Sequence, residues 1–176
     1  MSVVAFDGRI VAAETFMGGL HSGQGGMFRK IAAFEKPGKK DSLVVFGITG
    51  VAADMFPCID WWLKGMKDDY PGTDDTDFLV VRPGHKVVLF SHPSGPVHFN
   101  APFACGAGSN HAEAAMAMGA NAIEAVEIAC RFVNTCQPPV EAFDISSKFW
   151  LQSAGDRIAT HEGIQEIAKR NKWKAL

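Results

Sequence analysis

The sequence predicts an α+β fold, a layered sandwich of antiparallel sheets with helices packed outside. Three observations carry that expectation. The patterning runs strands, one helix, strands, two helices, a strand and a last helix, and segregated runs of this kind stack in layers instead of alternating around a parallel sheet. Turn signals punctuate the strand runs, with Asp7-Gly8 and Pro83-Gly84 each lying between two apolar segments. The 176 residues are 47% hydrophobic and 20% charged, the composition of one globular domain long enough to bury a core.

Taken in order, "SVVAFDGRIVAAET" spells two short strands hinged at Asp7-Gly8, a strong two-residue hairpin signal. Glycine-rich "MGGLHSGQGG" reads as a loop, "MFRKIAAFE" as a strand and "KPGKKD" as the turn closing it. "SLVVFGITG" is an almost unbroken apolar run, the pattern of a strand buried on both faces. From Val51 the period turns helical through "VAADMFPCIDWWLKGM", with Pro57 tolerable near the first turn. Acidic "KDDYPGTDDTD" is a connector, and strands follow at "FLVVRPG", "HKVVLFSH" and "VHFNAPFACG". "GAGSNHAEAAMAMGANAIEAVEIACRFVN" holds two consecutive helices. Gly119 ends the first, and Asn121 with Glu124 three residues on forms a capping box for the second. "TCQPPVEAFDIS" supplies a last short strand, and the more polar remainder ends in a basic helix.

The totals exclude several functions. A net charge of −2 and a pI near 6.3 argue against nucleic-acid binding, which needs a basic face. No apolar run approaches the roughly 18 residues of a membrane span, and Asp7 and Arg9 interrupt the first apolar stretch where a signal core would lie. Cys58, Cys105, Cys130 and Cys136 lack CxxC spacing and the histidines are scattered, so free thiols, a cytoplasmic location and no metal or cofactor are expected.

Two glycine turns stand between a strand and a helix, "VVFGITGVAAD" and "FACGAGSNHAEAAM". Free amides at a helix start favour anions. A dinucleotide fingerprint fits poorly, because the first turn lacks G-x-G and His111 occupies the third glycine's place in the second. Close strand–helix approach explains at least one of them. The amide of Gly50 suits a developing oxyanion equally well. Trimming of Met1 would expose Ser2 with a hydroxyl and an α-amine on one residue, a nucleophile beside its own base.

Four blocks in order, "AAET", "FRKIAAF", "GITGVAAD" and "FACGAGSNHAEAAMAMGANAIEAVEIA", make the chain resemble the proteasome β-subunit and HslV peptidase family of N-terminal-nucleophile hydrolases from Ser2 to about Asp144. The resemblance implies a four-layer αββα sandwich of two antiparallel sheets over residues 1–145, with 146–176 a polar helical extension. It places Ser2 on the family's threonine nucleophile, Glu14 on an aspartate that pairs with a lysine, Lys30 on that lysine and Gly50 on the oxyanion glycine. It also implies that Phe28, Ala32, Ile48 and Ala52 line an apolar specificity pocket. Ala107 stands where a serine is usual, and Asp144 and Ser146 are candidates for a late aspartate and serine.

The chemistry supports three of these roles, those of Ser2, Lys30 and Glu14. An α-amine titrates near 7.7–8.0, so a minority is neutral at pH 7 and able to take the hydroxyl proton. A nearby ammonium lowers that value, and a carboxylate holds the ammonium in place. Glu14 reaches one methylene further than aspartate, and serine lacks the methyl that restricts threonine's χ1. The leading expectation is a peptidase acting on peptide or unfolded-protein substrates in a homo-oligomeric ring, with an ATPase unfoldase as partner class. An inactive ring or scaffold subunit, favoured by the three substitutions, is the alternative, and a small-amide hydrolase is a third reading.

Overall fold

Alternation along each strand decides which layer a side chain joins. In a computed structural model, which describes residues 2–17, 26–152 and 160–176, β1 (Val3–Phe6) and β2 (Ile10–Glu14) form the opening hairpin. Val3 and Ala5 face one way into a helix–sheet core, while Val4 and Phe6 face the other way into a core between two sheets. The hairpin's central residues are Gly8 and Arg9, one position later than Asp7-Gly8, since Phe6 pairs with Val11 and Asp7 accepts at Oδ1 from the amides of Arg9 and Ile10. The Asp7 carboxylate is the turn's cap, which moves the corner past it.

β3 (Phe16–Met17) and β4 (Gly26–Met27) form a two-stranded ribbon. The glycine-rich loop expected between them falls largely outside the described residues. β5 (Ile31–Glu35) and β6 (Val44–Thr49) lead through a 3-10 turn (Ala52–Asp54) into α1 (Met55–Leu63). β7 (Asp77–Val81) and β8 (Val87–Ser91) follow. The stretch "VHFNAPFACG", expected as one strand, is two: β9 (Gly95–Phe99) and β10 (Phe103–Gly106). Pro102 has no N–H to continue a ladder, and there the chain leaves one sheet for the other.

α2 (Ser109–Ala117) and α3 (Ala122–Phe132) come next, and Asn121 with Glu124 makes both hydrogen bonds of the expected capping box. β11 (Val140–Asp144) is followed by β12 (Phe149–Gln152), α4 (Thr160–Arg170) and β13 (Lys174–Ala175).

The sheets are antiparallel, ordered β10-β1-β2-β11-β12 and β13-β5-β6-β7-β8-β9. Three apolar cores separate four layers. Small side chains, Ala5, Ala12, Ala112, Ala122, Ala125 and Ala129 among them, let α2 and α3 lie close on the first sheet. Large ones, including Phe34, Phe46 and Phe78, fill the space between the second sheet and α1 with α4. Each of those fully buried rings contributes roughly 1.5–3 kcal/mol. The C-terminal segment is built into this layer: Ile164, Ile167 and Ala168 are buried against α1, and β13 pairs with β5. No helix among the described residues is long and apolar enough to cross a membrane.

Candidate active site

Ser2 lies just before β1, 4% exposed. Its carbonyl accepts from the Gly108 amide at 3.4 Å, so the turn after β10 wraps its backbone. Gly106 has φ +89°, and a Cβ there would stand 2.3 Å from the Ser2 carbonyl oxygen. Only glycine fits. This is the close approach anticipated for one of the two glycine turns. Ala107 is exposed in the same turn.

Lys30 enters from the second sheet, just before β5. Its Nζ donates to Glu14 Oε1 and, at 2.6 Å, to the Phe16 carbonyl. Glu14 ends β2 and is fully buried; its Oε1 also accepts from the Val3 amide at 3.3 Å and its Oε2 from the Phe16 amide at 2.8 Å. The extra methylene of glutamate therefore still reaches the lysine. Burial pushes the Lys30 ammonium down and the Glu14 carboxyl up, each partly offset by the attraction of the other.

Gly50 stands just past the last β6–β7 rung, Thr49 with Asp77. Its φ is +92°, and a Cβ would sit 1.7 Å from the Asp75 carbonyl oxygen. The acidic connector thus presses against this turn. Asp54 Oδ2 accepts from the Thr73 amide and hydroxyl, both at 2.8 Å, and from the Thr76 hydroxyl at 2.6 Å. The Thr76 oxygen accepts in turn from the Val51 amide at 3.4 Å. Those hydrogen bonds hold the Asp54 carboxyl below its ordinary value against the opposing effect of burial. Expected as a plain connector, "GTDDTD" instead braces the turn, and its two threonines, three positions apart, are the signal in the sequence.

Ser2, Lys30 and Gly50 share one cleft, lined also by Phe28, Ile48, Thr49 and Ala52. Its volume is about 10 Å3, room for roughly one water. Ala32 is not in the lining; it is 1% exposed and packs beneath with Phe34 and Ile48. Thr49, which bonds Asp77 at 3.4 Å, is a lining residue that sequence reading passed over inside an apolar strand. Asp144 and Ser146 are elsewhere. Asp144 pairs with Ile10 at the hairpin end, about 13 Å along β2 from Glu14. There Arg9 first, then Ser146, hold its carboxyl well below the usual range. Burial pushes the thiols of Cys58 and Cys130 up to about 12 and that of Cys136 to about 11, so none is a ready thiolate nucleophile. Among the described residues no group of three or more His, Cys, Asp or Glu is placed to hold a metal ion.

Two antiparallel sheets between two helical layers, with Ser2 and Lys30 lining one cleft, give a fold shared with solved structures of HslV and BPH. Among solved structures, BPH from Thiobacillus denitrificans in complex with epoxomicin is similar at 20% identity and TM-score 0.57, over 81% of this chain and 97% of that one. Eukaryotic HslV from Trypanosoma brucei is similar at 16% identity and TM-score 0.55, over 81% and 98%. The Anbu complex from Pseudomonas aeruginosa, a helical assembly, is similar at 12% identity and TM-score 0.61, over 96% and 95%. No family model matches the sequence. No curated protein matches it either. At these identities the likeness is one of fold.

Proposed function

We propose that this chain is an N-terminal-nucleophile peptidase in which Ser2, once Met1 is removed, attacks peptide carbonyls. One observation carries the reading: Ser2, Lys30 and Gly50, far apart in sequence, line a single cleft, with Lys30 held there by Glu14. Ser2 Oγ forms the new C–O bond while its proton passes to the α-amine, and the oxyanion accepts from the Gly50 amide. Collapse breaks the C–N bond, the amine returns the proton to the leaving nitrogen, and water then hydrolyses the ester by the same route. The Lys30 ammonium lowers the α-amine's affinity for a proton, which enlarges the neutral fraction able to act as base. Phe28, Ile48 and Ala52 favour an apolar side chain beside the scissile bond, and Ala32 supports them from below.

The chain acts as an oligomer, ring or helical, in this proposal, with unfolded protein as substrate and an ATPase unfoldase as partner class; the HslV-like fold and the helical Anbu assembly support it. The test is intact mass of the native particle before and after a β-lactone or peptide epoxyketone, with peptide mapping. Loss of Met1 and a single adduct on Ser2 are expected. An unlabelled chain after prolonged exposure to both reagents would overturn the peptidase.

A second reading, an inactive scaffold subunit, is favoured by the cleft's size and by Ala107 in place of a hydroxyl. It predicts an assembled particle that retains Met1.

A further inference from the structure

At the end of the sandwich away from Ser2, the two sheets open onto a cavity of about 330 Å3. Its apolar floor includes Phe6 and Ile145, 5% and 7% exposed. Its rim carries basic side chains. Arg9 comes from the β1–β2 hairpin of the first sheet, and Arg82 and His85 from the β7–β8 turn of the second. The His85 amide donates to the Arg82 carbonyl at 3.1 Å across Pro83-Gly84, so a tight turn sets the bases of those two side chains side by side.

The neighbouring acids are already engaged. Asp144 Oδ2 accepts from Arg9 Nε and Nη2 at 3.0 and 2.6 Å, while its Oδ1 accepts from the Ser146 hydroxyl at 2.6 Å. Asp7 accepts from the Arg9 and Ile10 amides with one oxygen and from the Ala122 amide with the other. Among the described residues, Arg82 and His85 make no ion pair. A concave site with an apolar base, an unpaired guanidinium and an imidazole at its rim matches an oxyanion borne on a small apolar body. Guanidinium forks bind such planar or tetrahedral oxyanions through paired N–H donors, and a pocket of this size takes a compact ligand.

We propose that this cavity binds a small organic anion, a phosphate or carboxylate group carried on a compact apolar body, with Arg82 and His85 meeting the charge and Phe6 with Ile145 under the body. The ligand would bridge the two sheets at the end remote from Ser2, so the proposal stands apart from the peptidase reading.

Titration calorimetry of the full-length protein with phenyl phosphate, benzoate, inorganic phosphate and uncharged anisole tests it. Saturable binding of phenyl phosphate or benzoate is expected, weakening as sodium chloride is raised; the tighter of the two identifies the headgroup. Arg82→Gln should weaken it at least tenfold with the melting temperature unchanged, because Arg82 is exposed and unpaired, whereas Lys39→Gln in the β5–β6 turn should not alter it. Inorganic phosphate should bind at least tenfold more weakly than phenyl phosphate, and anisole not measurably. Absence of saturable binding, equal binding by Arg82→Gln, equal loss in Lys39→Gln, or inorganic phosphate matching phenyl phosphate would each overturn the proposal.

Discussion

Arg29 and Lys30 are consecutive, both are 5% exposed, and each pairs with a fully buried glutamate of the first sheet. Their surroundings differ. Arg29 Nε donates to Glu141 Oε1 at 3.1 Å, and its guanidinium lies 4.7 Å from the centre of the Trp150 ring. Glu141 is opposite Ala13, whose side chain belongs to the core between the sheets, so this pair ties the sandwich together from inside. Glu14, at the end of β2, is opposite Val140, a residue of the helix-side core, and Lys30 meets it beside the cleft that holds Ser2. A guanidinium is a permanent cation with a fixed fork, and an aromatic lid suits it. An ammonium responds to burial and transmits its charge to a neighbour. The lesson is that equal burial and equal charge do not make equal roles; what borders the pair decides.

The largest expected effect separates the two pairs by readout. Lys30→Met should slow labelling of Ser2 by a β-lactone by about a hundredfold or more, the scale of a lost acid–base contribution. Combining it with Glu14→Leu should recover stability while labelling stays slow, because two apolar groups replace a broken buried pair. Recovery of labelling in the double variant would reduce Lys30 to a structural tie.

Arg29→Met should behave in the opposite way. It leaves Glu141 buried without its guanidinium, a loss of about 3–5 kcal/mol. In a chain of this length that lowers Tm by roughly 6–20 °C. Protein that remains folded at low temperature should still label at close to the wild-type rate, as measured by mass spectrometry on the native fraction.

Next in size come changes to the turn that presents the Gly50 amide. Gly50→Ala meets the Asp75 carbonyl and requires a strained backbone, costing about 1–3 kcal/mol and most of the labelling rate. Thr76→Val removes the bridge between Asp54 and the Val51 amide; about a tenfold slower labelling is expected at a stability cost of about 1 kcal/mol, with Thr76→Ser restoring the rate. Equal labelling by Thr76→Val would show that the connector does not position the turn.

The smallest effect is the pH dependence of stability, compared between wild type and the Lys30→Met, Glu14→Leu variant. Burial raises the Glu14 carboxyl above 4.5, so folding favours its protonated form and wild-type stability falls as pH rises through that window. Burial lowers the Lys30 ammonium below 10.5, so between its folded value and 10.5 the unfolded chain binds more protons and stability rises with pH. The difference between the two denaturation curves should therefore pass through a minimum at intermediate pH. A flat difference would mean that mutual attraction cancels burial within the pair.

Much of the site was legible because its parts carry local signatures. Gly50 closes an apolar strand before a helix and Ser2 opens a hairpin, whereas Lys30, sixteen positions after Glu14, was legible only through the family resemblance, because the two lie on different sheets. Other parts carry none. Ala32 and Ile48 are both apolar strand residues, yet only Ile48 lines the cleft, a distinction made by strand register and depth. β12 was missed because Phe149 and Leu151 are exposed on an edge strand and break the expected alternation. The Asp54 contacts join residues about twenty positions apart through side chains that any polar turn contains.

By itself, the sequence determined most of the runs of strand and helix, where α3 begins, and that antiparallel layers would form, since periodicity and capping are local properties of the chain. Tertiary structure alone decided that α4 shares a core with α1, that Arg29 is enclosed while Lys30 borders the cleft, and that Arg82 meets the β1–β2 hairpin at a common cavity. Those outcomes depend on how separate elements align, and alignment is set by the packing of whole layers, which no short window of residues encodes.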